Sequence, residues 1–162
     1  MIDSIPSSGQ IIAIFVAPTK HARQLAVNAV QLKTAKGIVG DRFFGFRQKH
    51  RGRNITLIEA ETLDNFNKNY GQTISLDATR RNLLTRGIRL NPLVGKIFYV
   101  GDVLCKGVEL CEPCGILARH IANATLTHPE IIKAFTHRGG LRAEVLSDGV
   151  VRLGDRCKAA DN

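Results

Sequence analysis

Asp102-Val103-Leu104-Cys105-Lys106-Gly107-Val108-Glu109-Leu110 runs without a break into Cys111-Glu112-Pro113-Cys114-Gly115-Ile116-Leu117. The first half is rich in β-formers and reads as a strand. Pro113 has no backbone N–H to give to a ladder, so regular pairing stops there, and the residues beyond it suit a helix. A thiol at Cys114 is therefore displayed at a strand end, where binding chemistry tends to gather. The chemistry of the chain is expected to turn on Cys114.

Outward from this stretch, short β segments dominate. Residues 9–16, 28–33, 53–58, 81–85, 96–100, 141–146 and 150–153 read as further strands, the second with period-2 alternation. Residues 59–66 carry apolar positions at helical spacing, and Gly71 closes that segment. Helices are also expected over 115–123 and 128–137, the latter with Pro129 in its first turn. Gly40-Asp41, Gly101-Asp102 and Gly154-Asp155 mark sharp turns. Many short strands joined by turns predict a barrel or sandwich. No low-complexity stretch divides the chain, so residues 1–162 are read as one domain with a short polar leader at 1–9.

The 162 residues are 44% hydrophobic, ordinary for a globular chain, and no apolar run approaches the roughly 20 residues that span a bilayer. Residues 1–10 have neither a basic n-region nor an apolar h-region, which predicts a cytoplasmic protein without a secretory signal. The 23 lysines and arginines against 14 acids give a net charge of +9 and point to an anionic partner. Aromatics are only 6% and tryptophan is absent, so stacking platforms for single strands are scarce and nucleic acid ranks last. A phosphorylated cofactor fits better. Arginines cluster near turns at Arg42, Arg47, Arg51 and Arg53, then at Arg80, Arg81, Arg86 and Arg89, where the planar guanidinium suits bidentate phosphate contacts.

The 4 cysteines admit several chemistries. Only Cys111 and Cys114 form a close pair, whereas tetrathiolate zinc needs two such pairs; Cys105 and Cys157 read as small buried hydrophobes. His120, His128 and His137 lack paired ligand spacing. Cys-Glu-Pro-Cys ahead of a helix also has redox-pair spacing, although that chemistry normally accompanies a βαβ pattern. His50 and His120 are candidate proton donors, with structural roles the commoner fate of lone histidines.

Taken in order, several pieces of the chain resemble a stand-alone MOSC domain, the module named for the carboxyl-terminal part of molybdenum cofactor sulfurases. They are Gly37-Ile38-Val39-Gly40-Asp41-Arg42-Phe43, Arg53-Asn54-Ile55-Thr56-Leu57-Ile58-Glu59 and Arg81-Asn82-Leu83-Leu84-Thr85-Arg86-Gly87-Ile88. Leu93-Val94-Gly95-Lys96-Ile97-Phe98-Tyr99-Val100-Gly101-Asp102, Cys111-Glu112-Pro113-Cys114, Arg138-Gly139-Gly140-Leu141-Arg142-Ala143-Glu144-Val145 and Gly154-Asp155 follow. The resemblance implies a mostly β fold, a distorted closed β-barrel with a few peripheral helices. It implies molybdenum cofactor (molybdopterin) as ligand and Cys114 as persulfide carrier or molybdenum ligand. By the same analogy Arg81 would bind the anionic pterin phosphate and Asn82 would hydrogen-bond the cofactor.

Arg42 is a candidate second phosphate contact, beside a turn and ion-pair role with Asp41. Lys106, Arg119 and Arg81 are expected to lower the Cys114 pKa if they fold near it. Cys111 reads either as a resolving thiol at the cofactor site or as packing beneath the loop, and Glu112 is expected to face solvent without a role. The chain lacks the length for the pyridoxal-phosphate domain of a full sulfurase, so a pyridoxal-phosphate cysteine desulfurase is the expected sulfur donor. Sulfur transfer, molybdenum-dependent oxidoreduction, thiol–disulfide exchange at Cys111 and Cys114, and simple escort of the cofactor all remain open.

Overall fold

The computed structural model describes residues 7–45 and 53–161. Arg47, His50 and Arg51 fall outside these residues, as does most of the stretch read as a leader. The strands in chain order are β1 (Ser8–Val16), β2 (Leu25–Ala26), β3 (Ala29–Lys33), β4 (Gly37–Ile38) and β5 (Ile55–Glu59). Helix α1 (Ala60–Tyr70) follows, then β6 (Leu83–Arg86), β7 (Ile97–Val100) and β8 (Val103–Leu110). Helices α2 (Gly115–Ile121) and α3 (His128–Phe135) precede β9 (Leu141–Val145), β10 (Gly149–Arg152) and β11 (Arg156–Ala159). β1 thus starts at Ser8, inside the expected leader.

Seven strands close a mixed barrel in the order β1-β11-β7-β8-β9-β5-β6 and back to β1. β5 and β6 run parallel, with α1 as their crossover; the other barrel pairs are antiparallel. A small sheet, β10-β3-β4, lies alongside. The mostly β barrel matches the architecture read from the sequence. The closing strand was not foreseen: in Arg156-Cys157-Lys158-Ala159 only Cys157 turns fully inward, too little pattern to announce a strand.

Two apolar clusters explain which strands read as continuous hydrophobic runs. Ile14, Leu57, Leu83, Phe98 and Leu141 fill the barrel interior. Their neighbours Ala13, Phe15, Ile58 and Leu84 point the other way and bury against Leu63, Phe66, Leu117, Ile131 and Phe135 of the three helices. β1, β5 and β6 are therefore covered on both faces, as strands flanked by helices usually are. β7, with no helix over it, keeps strict alternation, with Phe98 and Val100 buried and Ile97 and Tyr99 exposed. Gly71 ends α1 in the left-handed region at φ 61°, as its position predicts. Thr127 caps α3 by accepting from the Glu130 N–H, with Pro129 in the first turn. Among the described residues no helix is long and apolar enough to cross a membrane.

Candidate functional site

The loop after β8 carries two thiols into opposite surroundings. Cys111 is 1% exposed, and its N–H donates to the Gly140 carbonyl at 2.7 Å. A Cβ on Gly139 would collide with the Cys111 carbonyl, and one on Gly140 (φ 105°) with that of Leu57, so only glycine lets the 138–140 loop press this close. Burial pushes the Cys111 thiol up, while the guanidinium groups of Arg81 and Arg142 pull part of the way back. This is the packing role for Cys111. A resolving or cofactor-contacting thiol needs access, and Cys111 is buried beneath the Gly139-Gly140 loop.

Cys114 is exposed and sits in extended backbone just before α2 (φ −136°, ψ 177°). Together with Gly115, Ile116, Arg119 and His128 it lines an open cleft of about 400 Å³. Arg119 is thus brought to Cys114 as expected. Lys106 is not: it lies in mid-β8, opposite Ile97 on one side and Glu144 on the other.

Elsewhere several arginines gather around Arg42. Arg42 stacks over the Phe43 ring at 4.4 Å and pairs with Asp41 at 3.4 Å. Asp41 is itself buried and accepts from the Ala17 and Phe43 N–H groups, so the turn and ion-pair role holds. Arg42 Nη2 donates to the Arg80 carbonyl. Arg80 adopts φ 58°, unusual for a side chain with a Cβ, and its guanidinium donates to the carbonyls of Ala22 and Lys20. Burial chiefly lowers the Arg42 pKa; Asp41 opposes that, and Arg80 and Arg81 add to it. His120 is also held low, by burial first and then by Arg80, Arg119 and Arg42. These mutual effects define one cationic region around Arg42, Arg80, Arg81, Arg119 and His120, with positive charge in excess. An anion would relieve it.

Arg81 belongs to this region but is partly committed. Its Nε donates to the Gly139 carbonyl at 2.8 Å and Nη1 to the Thr79 carbonyl at 3.2 Å, which leaves Nη2 without a partner among the described residues. Asn82 departs from expectation. It is 0% exposed; its Oδ1 accepts from the Thr56 N–H and hydroxyl, and its Nδ2 donates to the Phe15 carbonyl. Both ends of the amide are spent tying β6 to β5 and β1, so Asn82 serves the fold as a clasp.

Glu112 also differs from the sequence reading. Although half exposed, it accepts from the His137 N–H at 3.2 Å and lies 3.1 Å from His137 Nδ1, tying the thiol loop to the end of α3. Nothing in the sequence links positions 112 and 137. Arg80 was visible only as one more arginine near a turn, since its partners lie some 60 residues away. The thiols do not assemble a metal centre: Cys105 and Cys157 are buried in the barrel, their pKa values each pushed to about 12 by burial. Among the described residues no group of three or more His, Cys, Asp or Glu side chains gathers to hold a metal ion.

A family model described as MOSC domain matches residues 39–158. Among solved structures the chain is similar to the YuaD protein from Bacillus subtilis, with 17% identity, 94% of this chain and 95% of that chain covered, and a TM-score of 0.81. It is also similar to YiiM from Geobacillus stearothermophilus, with 20% identity, 94% and 75% coverage and a TM-score of 0.74. YiiM from Escherichia coli gives 18% identity, 94% and 70% coverage and a TM-score of 0.69. At such identities the likeness is one of fold. No curated protein matches the chain.

Proposed function

The chain belongs to the MOSC domain family, and on that premise we propose that it binds molybdenum cofactor and presents sulfur to it from Cys114. MOSC domains are generally linked to molybdenum cofactor binding. The residues present suit such a ligand: the fold holds a cationic region with charge in excess, and Arg119 of that region shares a cleft with an exposed thiol. Arg42, Arg80 and the Nη2 of Arg81 would hold the pterin phosphate, with Arg119 nearer the thiol. Bound there, the group supplies a soft metal that accepts thiolate or persulfide sulfur.

The observation that carries the reading is the contrast in access within one loop. Cys114 opens onto the cleft and Cys111 does not. An open cleft admits a sulfur-bearing cysteine of a partner protein, for which a pyridoxal-phosphate cysteine desulfurase is the proposed donor. In that step the Cys114 thiolate attacks the outer sulfur of the partner's persulfide. The partner's S–S bond breaks, its cysteine leaves as thiolate, and Cys114 retains the persulfide, with no net oxidation. Arg119 would steady the negative sulfur before and after transfer. Among the enzyme classes, sulfurtransferase is therefore proposed ahead of molybdenum-dependent oxidoreductase.

The test is the composition of protein purified from a molybdenum-replete host, for the parent and for Cys114→Ser. Metal content, oxidised-pterin fluorescence and cyanide-releasable sulfur are read on each. The parent is expected to carry molybdenum and pterin, and Cys114→Ser to lose the labile sulfur while keeping part of the pterin through the arginines. A parent devoid of both molybdenum and pterin defeats the bound-cofactor reading. Labile sulfur that survives in Cys114→Ser defeats the carrier role.

A further inference from the structure

Two polar side chains beside the arginines have no part in anything described above. Gln24 is 9% exposed and Thr79 2% exposed. Neither Nε2 nor Oε1 of Gln24, nor Oγ1 of Thr79, has a hydrogen-bond partner among the described residues. Buried polar groups are almost always paired, because an unpaired one forfeits its bonds to water and gains nothing in return. A carboxamide idle at both ends is therefore a standing cost to the ligand-free fold.

Both residues adjoin the cationic region. The β1–β2 pairing sets Phe15 opposite Ala26 and Val16 opposite Leu25, and continuing it sets Gln24 opposite Ala17. Ala17 is bonded through both backbone groups to Asp41 and Arg42. Arg80 grips the same loop by the Ala22 and Lys20 carbonyls. Thr79 immediately precedes Arg80, and its own carbonyl accepts from Arg81.

We propose that Gln24, assisted by Thr79, reads the cyclic-amide edge of a pterin whose anionic end lies on the neighbouring arginines. The inference rests on the cofactor reading above and adds the residue that would set its specificity. Its chemical basis is the acceptor. A bare phosphate takes hydrogen bonds and would satisfy guanidinium groups, but it would leave Oε1 of Gln24 idle. The pyrimidinone edge of a pterin offers an adjacent N–H and C=O, which a carboxamide matches with two bonds, accepting at Oε1 and donating from Nε2. The Thr79 hydroxyl can donate or accept to a further ring atom. Because the Gln24 amide is buried, reaching the ligand calls for a change of rotamer about its flexible side-chain torsions.

Gln24→Leu tests this, with Thr79→Val as the isosteric companion. The probes are pterin-6-carboxylate, followed by fluorescence titration, and inorganic phosphate, followed by its thermal shift. Gln24→Leu is expected to bind pterin-6-carboxylate at least about tenfold more weakly, to respond to phosphate as the parent does, and, free of ligand, to melt a few degrees higher because the idle amide is gone. Thr79→Val is expected to do the same to a smaller extent. Unchanged pterin affinity in Gln24→Leu overturns the proposal and leaves a buried polar defect filled by water. A variant that melts lower or fails to fold makes Gln24 structural and also overturns it. A parent that takes up phosphate and ignores the pterin defeats the cofactor reading itself, and this inference falls with it.

Discussion

Cys105 and Cys114 leave the same strand hairpin with opposite fates. Cys105 turns into the barrel, 0% exposed among Phe98, Val103 and Val145, and burial raises its pKa to about 12. Cys114 stands past the strand end, at the mouth of a cleft lined by Arg119 and His128. One region is a closed interior in which every side chain is fixed by its neighbours. The other is a corner of short helices that shows exposed Ile116 and Ile132. The difference teaches that packing beyond the strand end, and not cysteine spacing, decides which thiol is exposed: Cys111, only three residues from Cys114, is buried.

Four measurements would break or sharpen this division. The largest effect belongs to Phe98→Ala, which opens a cavity at a fully buried site; equilibrium denaturation should show a loss of about 3–5 kcal/mol. A loss below about 1 kcal/mol would mean that the barrel interior is far less tightly packed than its burial implies.

Next is Asn82→Ala, expected to cost about 2–4 kcal/mol because it orphans partners on Thr56 and Phe15. It would also separate the clasp from a binding role, since phosphate should still produce its thermal shift.

The third is a pH profile. Thiols of Cys105 and Cys157 ionise near 9.0 when unfolded and near 12 when folded, so between those values the unfolded chain binds fewer protons. Stability is then full below about pH 8 and falls as pH rises toward 12, by up to about 1.4 kcal/mol per pH unit for each thiol. The urea midpoint should fall less steeply over that range in a Cys105→Ala/Cys157→Ala double variant than in the parent. Equal slopes would place those thiols in water.

Smallest is Ile116→Ala, expected within about 0.5 kcal/mol of the parent. A larger loss would extend the rigid interior into the corner.

Much of the interior was legible. β1, β5 and β6 announced themselves as apolar runs because both their faces are covered, and Gly71 and Pro129 marked helix boundaries through local chemistry. What stayed hidden depended on distance. β11 pairs an arginine- and lysine-bearing segment with β1 and β7, and β2 and β4 exist only because β1 and β3 offer them edges. At the site, the exposed thiol could be read from its place between a strand and a helix. The inward turn of Asn82, the bond from Glu112 to His137 and the idle amide of Gln24 could not, because each is fixed by residues remote in the chain.

The seam between β1 and β11 joins Ser8, Gly9 and Gln10 to Lys158, Cys157 and Arg156. During synthesis, β1 must wait for the distant β11 segment to emerge before both its edges are paired. Ring closure is then a late, slow event with a large loop-closure entropy, and it sits at the non-local end of folding topologies. Until then β1 shows an open edge to any other strand nearby, a hazard for an unfinished barrel. Deleting Arg156–Ala159 would therefore open the ring at this seam.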